Sequence, residues 1–296
     1  MEQPVTAWDA LRWAGAELRD AMADSPRLAA EVLLAHALGW ERARLLGHIH
    51  DPLPAESWEK FQVLVRRGTA GEPLQYLTAR QEFYGLTFRV TPAALIPRPE
   101  TELLVEKAVE LARTGAAGVR FVDVGTGCGC IAIAVAHELT SARGWATDIS
   151  LEALALAREN AGLLGTDTRL AFVRSDLLES FQARPLFDLI LSNLPYISRA
   201  DFDRLPRMVR EFEPREALFG GESGLEAYGR LIPQAAARLA PEGNLLLEVG
   251  AGQAAEVGAM ARQAGLSQLA VIKDLQGIPR CIVAGKSVPK TYHSKT

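Results

Sequence analysis

The chain has 296 residues, 48% hydrophobic and 23% charged, with a formal net charge of −4. That is a length for about two domains and the make-up of a globular protein in water. The acidic balance argues against a protein whose affinity rests on neutralising phosphates, so no direct nucleic-acid partner is expected. No apolar run approaches the roughly 18 residues needed to span a bilayer, and the start MEQPVTAWDALRW does not read as a signal peptide, so a cytoplasmic protein is expected. Cys128, Cys130 and Cys281 are too few for a disulfide framework, and Cys128-Gly129-Cys130 has the wrong spacing for a zinc knuckle. They read as reduced structural thiols, and no metal is expected.

The first segments, TAWDALRWAGAELRDA, SPRLAAEVLLAHALG and AESWEKFQVLVRRGTAG, carry apolar residues at helical spacing. Ser25-Pro26 and the pair Pro52/Pro54 mark starts, and Gly39 marks a stop. Trp8, Trp13 and Trp58 sit among apolar neighbours at that spacing and read as core, while His36, His48 and His50 give no ligand pattern. From Leu74 to Val90 the sequence alternates around Gly85 and reads as a hairpin. After about Glu100, apolar strands alternate with helices: VRFVDVG, CIAIAVAHEL, GWATDIS, LEALALARENAGLLG, RLAFVRSD, FDLILSN, then GLEAYGRLIPQAAARLA, GNLLLEVG, QAAEVGAMARQAG, LAVIKDL and RCIVAG.

Continuous apolar strands separated by helices predict an α/β fold, a doubly wound, mostly parallel sheet of seven strands covered on both faces. The link LQGIPR is too short for a crossover helix, so the last two strands should pair antiparallel. The expected organisation is a helical bundle over residues 1–72, a hairpin linker over 73–95, an α/β domain over 96–286 and a flexible tail over 287–296.

Ligands bind such sheets beyond the C-terminal strand ends. Four ends carry polar or glycine-rich residues: Asp123-Val124-Gly125-Thr126-Gly127-Cys128-Gly129, Thr147-Asp148-Ile149, Ser175-Asp176-Leu177 and Ser192-Asn193-Leu194-Pro195-Tyr196. Each alone has a plain reading: a tight turn for the glycines, a helix cap for either aspartate. Together they point to a nucleoside cofactor beside a substrate. The glycine spacing, with Cys130 at the last position of a G-x-G-x-x-G, disfavours a nicotinamide dehydrogenase and suits S-adenosylmethionine.

Asp123 to Gly129, Asp148 and Asn193 to Tyr196 resemble the class I methyltransferases whose Asn/Asp-Pro-Pro-Tyr motif methylates planar amino groups. With LQYLTARQEFYGLTFRVTPAALIPRPETELLVE, SNLPYIS, EPREALFGGESGLEAYGRLI, GNLLLEVGAGQ and KDLQGIPRCI, nearly the whole chain is similar to the HemK family. These are the glutamine-N5 methyltransferases of class 1 peptide chain release factors. The resemblance implies S-adenosylmethionine as cofactor, held by Asp123, Gly125, Thr126, Gly127, Cys128, Gly129, Asp148, Ile149, Asp176, Leu177 and Asn193. It implies Asn193, Pro195 and Tyr196 as the catalytic turn, with Leu194, Arg98 and Glu100 also meeting the substrate, and a front domain that recognises the release factor. By the same likeness Ala217 to Leu231 flank the mouth of the site; by itself that stretch reads as a loop leading into a helix.

This chain has Leu194 where the family usually has the first proline of the turn. Some nucleic-acid adenine methyltransferases use Asn-Leu-Pro-Tyr, which keeps an N6-adenine methyltransferase as an alternative, beside a non-catalytic translation-factor-binding protein. An amide nitrogen is a poor nucleophile because its lone pair is delocalised. Asn193 can offer its side-chain oxygen and Leu194 its backbone carbonyl to the two hydrogens of an NH2 group, which aims the lone pair at a methyl. Pro195 stiffens the turn, and Tyr196 can pack on the planar amide. Orientation is then the main lever, and no obligatory general base is expected.

Overall fold

The computed structural model describes residues 6–22, 25–114 and 118–286; the predicted tail over 287–296 lies outside them. The chain divides into two compact units, one of Met1–Arg80 with Pro206–Phe212 and one of Gln81–Leu205 with Glu213–Thr296.

In the first unit, α1 (Ala7–Glu17), α2 (Pro26–Leu38), α3 (Arg42–Gly47) and α4 (Ala55–Thr69) enclose a core that includes Leu11, Leu18, Leu33, Leu34, Trp58 and Phe61. Thr6 caps α1 by accepting from the Asp9 amide, Pro26 opens α2, and Gly39, at φ 65°, closes α2 in the left-handed region that suits glycine. Trp13 packs edge-on against Trp58 at 4.8 Å between centroids. Trp8 departs from the expected core: it is 38% exposed, tilted against His50. The predicted hairpin also begins later than Leu74. Leu74–Thr78 is a short helix, α5, because Pro73 starts a helical turn and Ala79 ends it at φ 55°. Only then do β1 (Arg80–Phe83) and β2 (Leu86–Arg89) pair around Tyr84 and Gly85, both at positive φ.

In the second unit, α6 (Glu102–Thr114) leads to β3 (Arg120–Val124), α7 (Cys130–Glu138), β4 (Arg143–Asp148), α8 (Leu151–Leu163), β5 (Leu170–Arg174) and β6 (Phe187–Ser192). The stretch after β6 carries the short helices α9 (Arg199–Phe202), α10 (Arg207–Phe212, counted in the first unit) and α11 (Arg215–Leu218). Then come α12 (Glu226–Arg238), β7 (Leu239–Glu248), α13 (Ala254–Gln263), β8 (Gln268–Lys273) and β9 (Pro279–Gly285).

The seven strands run in the order β5-β4-β3-β6-β7-β9-β8, parallel except for β9, which is antiparallel to both β7 and β8. The antiparallel end follows from the short link, as expected. Alternate strand residues explain the continuous apolar runs. Phe121, Leu189, Leu191 and Leu246 face a core shared with α6, α7 and α8, whereas Val122, Val124, Ile190, Leu245 and Leu247 face one shared with α12 and α13. The chain reverses direction across the sheet between β3 and β6. That topological switch point places the ends of these two strands side by side. Val124 pairs with Thr147 on one side and Ser192 on the other, so Gly125, Asp148 and Asn193 emerge together. Among the described residues, no helix is long and apolar enough to cross a membrane.

Candidate active site

The turn after β3 is shaped by backbone that other residues adopt at a cost. Gly125, Gly127 and Gly129 have φ of 73°, 56° and 86°. A Cβ on Gly129 would stand 2.9 Å from Ile133 Cδ1 and 3.1 Å from Ala157 Cβ, so the turn lies flush against α7 and α8. The amides of Gly125 and Thr126 both donate to the Thr147 carbonyl, at 2.9 and 2.8 Å. Asn160, fully buried on α8, donates to the Cys128 carbonyl at 2.9 Å. Its role went unread in the sequence, although a polar residue between Ala157 and Ala161 on an apolar helix face is a usable signal.

These elements border a cavity of about 460 Å³, within the roughly 300–1,000 Å³ usual for small-molecule sites. Of the predicted cofactor residues, Gly125, Thr126, Gly127, Cys128, Asp148, Ile149, Asp176, Leu177 and Asn193 line it. Asp148 is not a helix cap. Ser150 caps α8 through the Ala153 amide, while Asp148 accepts from the Gly127 amide with Oδ2 and from the Ser150 amide with Oδ1, each at 2.9 Å. Ile149 beside it is 60% exposed, an apolar surface at the rim. Leu177 also lines the cavity, from a left-handed φ of 53° that a leucine rarely takes. Asp176 pairs with Arg230 at 2.6 Å. A glycine-lined turn, a carboxylate and two apolar side chains fit a nucleoside.

Asp123 and Gly129 lie behind this wall. Asp123 is fully buried, with Oδ2 accepting from the Thr126 hydroxyl at 2.6 Å and the Ala132 amide at 3.2 Å, and Oδ1 unpartnered. Burial pushes its carboxyl up to about 7, against the pull of those two donors. Burial likewise pushes Glu248 up to about 7. The native state therefore holds these protons up to about pH 7, whereas the unfolded chain releases them near pH 4. Between the two values the unfolded state binds fewer protons, so the contribution of these groups to stability falls as pH rises. Urea titrations at pH 5 and pH 7 should show that loss, with a shallower slope in Asp123→Asn. An unchanged slope would remove Asp123 as its source. The three cysteines are buried, and hydrogen bonding to Cys128 together with burial raises the Cys130 thiol well above its ordinary value, which suits inert packing.

Of the residues expected to meet the substrate, Arg98, Asn193, Leu194 and Pro195 line the cavity; Glu100 and Tyr196 do not. Arg98 donates to Glu213 at 2.5 Å, and the Ile96 amide reaches the other oxygen of Glu213 at 3.3 Å, so the buried Glu213 straps the proline-rich segment down. Asn193 Nδ2 donates to Thr101 Oγ1 at 3.1 Å, and Thr101 donates onward to Glu248 at 2.6 Å. Thr101 thus spends its hydroxyl on the site and not on capping the helix that follows. The Tyr196 hydroxyl is 3.5 Å from Glu248, and burial first, then Glu248, pushes the phenol up to about 12.

The turn itself is clamped from outside. Gln253 donates to the Tyr196 carbonyl at 3.0 Å while accepting from the Gly250 amide at 2.9 Å. A Cβ on Gly220 would fall 2.5 Å from the Pro195 carbonyl oxygen, and one on Gly224 2.2 Å from that of Tyr196. The glycine-rich stretch after α11 is therefore a wall of the turn, which the sequence by itself left as a loop.

Leu194 is buried, its Cδ2 3.3 Å from where a Gly125 Cβ would be. Its side chain packs, and the role expected of this residue needs only its carbonyl. Leu194→Pro should keep kcat within a few-fold while costing roughly 1–2 kcal/mol of stability through lost packing. A collapse of turnover in a folded Leu194→Pro enzyme would show that the side chain matters to the reaction.

The sheet order and the pocket at its switch point define a class I methyltransferase. A methyltransferase from Pyrococcus furiosus shares the fold at a TM-score of 0.51 and 18% identity, over 77% of this chain and 98% of that one. Residues 9–78 match the PrmC N-terminal domain family and residues 99–212 the Methyltransferase small domain family. The release factor glutamine methyltransferase of Nitratidesulfovibrio vulgaris is 42% identical over 280 residues, 94% of each chain. That of Moorella thermoacetica is 44% identical over 262 residues, 88% of this chain and 92% of its own. The chain belongs to the release factor glutamine methyltransferase family, as the sequence motifs suggested, and it is an enzyme, a methyltransferase.

Proposed function

We propose that the protein transfers the methyl group of S-adenosylmethionine to the side-chain amide nitrogen of the glutamine in the Gly-Gly-Gln motif of class 1 peptide chain release factors. The observation that carries this reading is the orientation of Asn193. Its Nδ2 is given to Thr101, which leaves Oδ1 as an acceptor at the cavity wall, beside the glycine turn.

The cofactor, when bound, supplies a methyl already activated on a sulfonium. Asp148 would take the ribose hydroxyls, and Ile149 and Leu177 would pack near the adenine. Asn193 Oδ1 and the Leu194 carbonyl hold the two hydrogens of the acceptor NH2, so that its lone pair faces the methyl. Pro195 limits the freedom of the turn, and to the ring of Tyr196 we assign packing on the acceptor amide. The nitrogen that takes the methyl, with the sulfonium left as a neutral thioether by cleavage of its bond to that methyl, would shed one proton to water. Positioning of this kind can supply about 7–11 kcal/mol, against roughly 1.5–3 for one hydrogen bond to a charged group.

The helical bundle, about residues 1–72, is assigned the recognition of the release factor, because every cofactor residue comes from the α/β unit. A chain beginning near Leu74 should then bind cofactor yet lose most methyl transfer to intact release factor; full transfer would end that assignment. The function itself is tested by incubating the protein with labelled S-adenosylmethionine and purified release factor and mapping the label by mass spectrometry. Label on the glutamine is expected. Leu194 is the one observation that favours a second reading, N6-methylation of adenine, and label on DNA or RNA with an untouched glutamine would establish it in place of the first.

A further inference from the structure

The amide of Asn193 is held by a buried chain of donors and acceptors. The register of β6 on β7 pairs Ser192 with Leu247, so Asn193 and Glu248 lie side by side as the two strands end. Thr101 bridges them. Glu248 and Thr101 are 3% and 2% exposed, and the Tyr228 hydroxyl pins the backbone by donating to the Glu248 carbonyl at 2.8 Å.

The direction of each hydrogen bond follows from the chemistry of the groups. Below about pH 7 Glu248 carries a proton and can itself donate to Thr101; above it the carboxylate only accepts, and a threonine hydroxyl has one proton. The 2.6 Å separation of Thr101 Oγ1 from Glu248 Oε2 suits a hydroxyl donating to that carboxylate. With its proton committed there, Oγ1 can only accept from Asn193, 3.1 Å away, and only the NH2 end of that amide can donate. The Asn193 oxygen must then turn the other way. We propose that Thr101 and Glu248 are positioning residues that fix the polarity of the Asn193 amide, so that it presents oxygen and not NH2 to the acceptor nitrogen. This deepens the reading above and rests on it.

A brace with no part in polarity would be met more cheaply by apolar side chains, because a buried carboxylate is costly to desolvate. Burial first and then Glu100 push the Glu248 carboxyl up to about 7, against the pull of Thr101, Arg280 and Tyr196, so the carboxylate that fixes the polarity is the form present above about pH 7. What a carboxylate offers that a neutral amide does not is an acceptor that cannot become a donor. A glutamine at position 248 could donate to Thr101, turn its hydroxyl toward Asn193 and reverse the amide.

The test uses the full chain with release factor and labelled S-adenosylmethionine, read at saturation and at about pH 8, where Glu248 is mostly ionised. Thr101→Val, which keeps shape and removes the hydroxyl, should lower kcat about tenfold and leave cofactor affinity and the KM for release factor within about threefold. Thr101→Ser should restore most of the loss, and Glu248→Gln should lose at least as much as Thr101→Val. In an Asn193→Ala background, Thr101→Val should cost nothing further, because no amide remains to be oriented. An unchanged kcat in Thr101→Val would overturn the proposal, as would an equal fold-loss in the Asn193→Ala background. If Glu248→Gln does not fold, the Thr101 and Asn193 variants decide alone. The coupling is read on whichever acceptor the wild type methylates, so a mistaken substrate assignment shows first in the wild type and does not mask failure of this proposal.

Discussion

Replacing Asn193 with alanine lowers kcat for release factor methylation by about a hundredfold or more and leaves S-adenosylmethionine affinity within a few-fold. In the proposed mechanism the alanine removes one of the two oxygens that hold the acceptor NH2, and the remaining carbonyl of Leu194 lets the group swing about a single hydrogen bond. Misplacement of a reacting atom by about 1 Å can cost a factor of that size. The loss falls on turnover because the interaction matters most when the lone pair must face the methyl; binding of the release factor rests on a wider surface. The fold is not at risk, since among the described residues the Asn193 side chain donates only to Thr101. Single-turnover kinetics with calorimetric cofactor binding checks both halves, and an Asn193→Ala enzyme that turns over normally would remove Asn193 from the chemistry.

Replacing Asp148 with alanine weakens S-adenosylmethionine binding by about a hundredfold. Each oxygen of Asp148 already accepts one backbone amide, from Gly127 or Ser150, and each has a lone pair left for a ribose hydroxyl. Hydrogen bonds to a charged group contribute roughly 1.5–3 kcal/mol each, and a factor of a hundred needs about 2.7. Alanine also releases the Gly127 amide, which loosens the turn that faces the cofactor. Because Asp148 does not cap α8, the helix start should survive the change. Calorimetry measures the affinity directly, and wild-type binding by Asp148→Ala would displace the ribose from this carboxylate.

Much of the architecture was legible in the sequence because it depends on local pattern. Seven apolar strands, their parallel order of succession and the antiparallel pairing forced by LQGIPR all follow from periodicity and link length. The same holds for the glycine turn, Asp148 and the Asn193 turn, which a doubly wound sheet delivers to one edge whatever its side chains. The hairpin boundary was misread because alternation over Leu74 to Thr78 also fits a helical turn, and Pro73 decides between them. Trp8 was misread because helical spacing assigns a face but not how far the neighbouring helices cover it.

What only the tertiary structure decided is how the reacting turn is held. Thr101 and Asn193 are 92 residues apart, and Thr101 and Glu248 are 147 apart. In sequence Thr101 lies in the stretch LIPRPETE and Glu248 in the strand GNLLLEVG, and neither pattern contains the other residue. Likewise Gly220 and Gly224 read as a flexible loop until the Pro195 and Tyr196 carbonyls are found where their Cβ atoms would be. Strand ends are fixed by each strand's own residues, so they can be read one at a time. The hydrogen bonds between them depend on the register of β6 on β7 and on where the start of α6 docks, and these are set by packing of the whole unit.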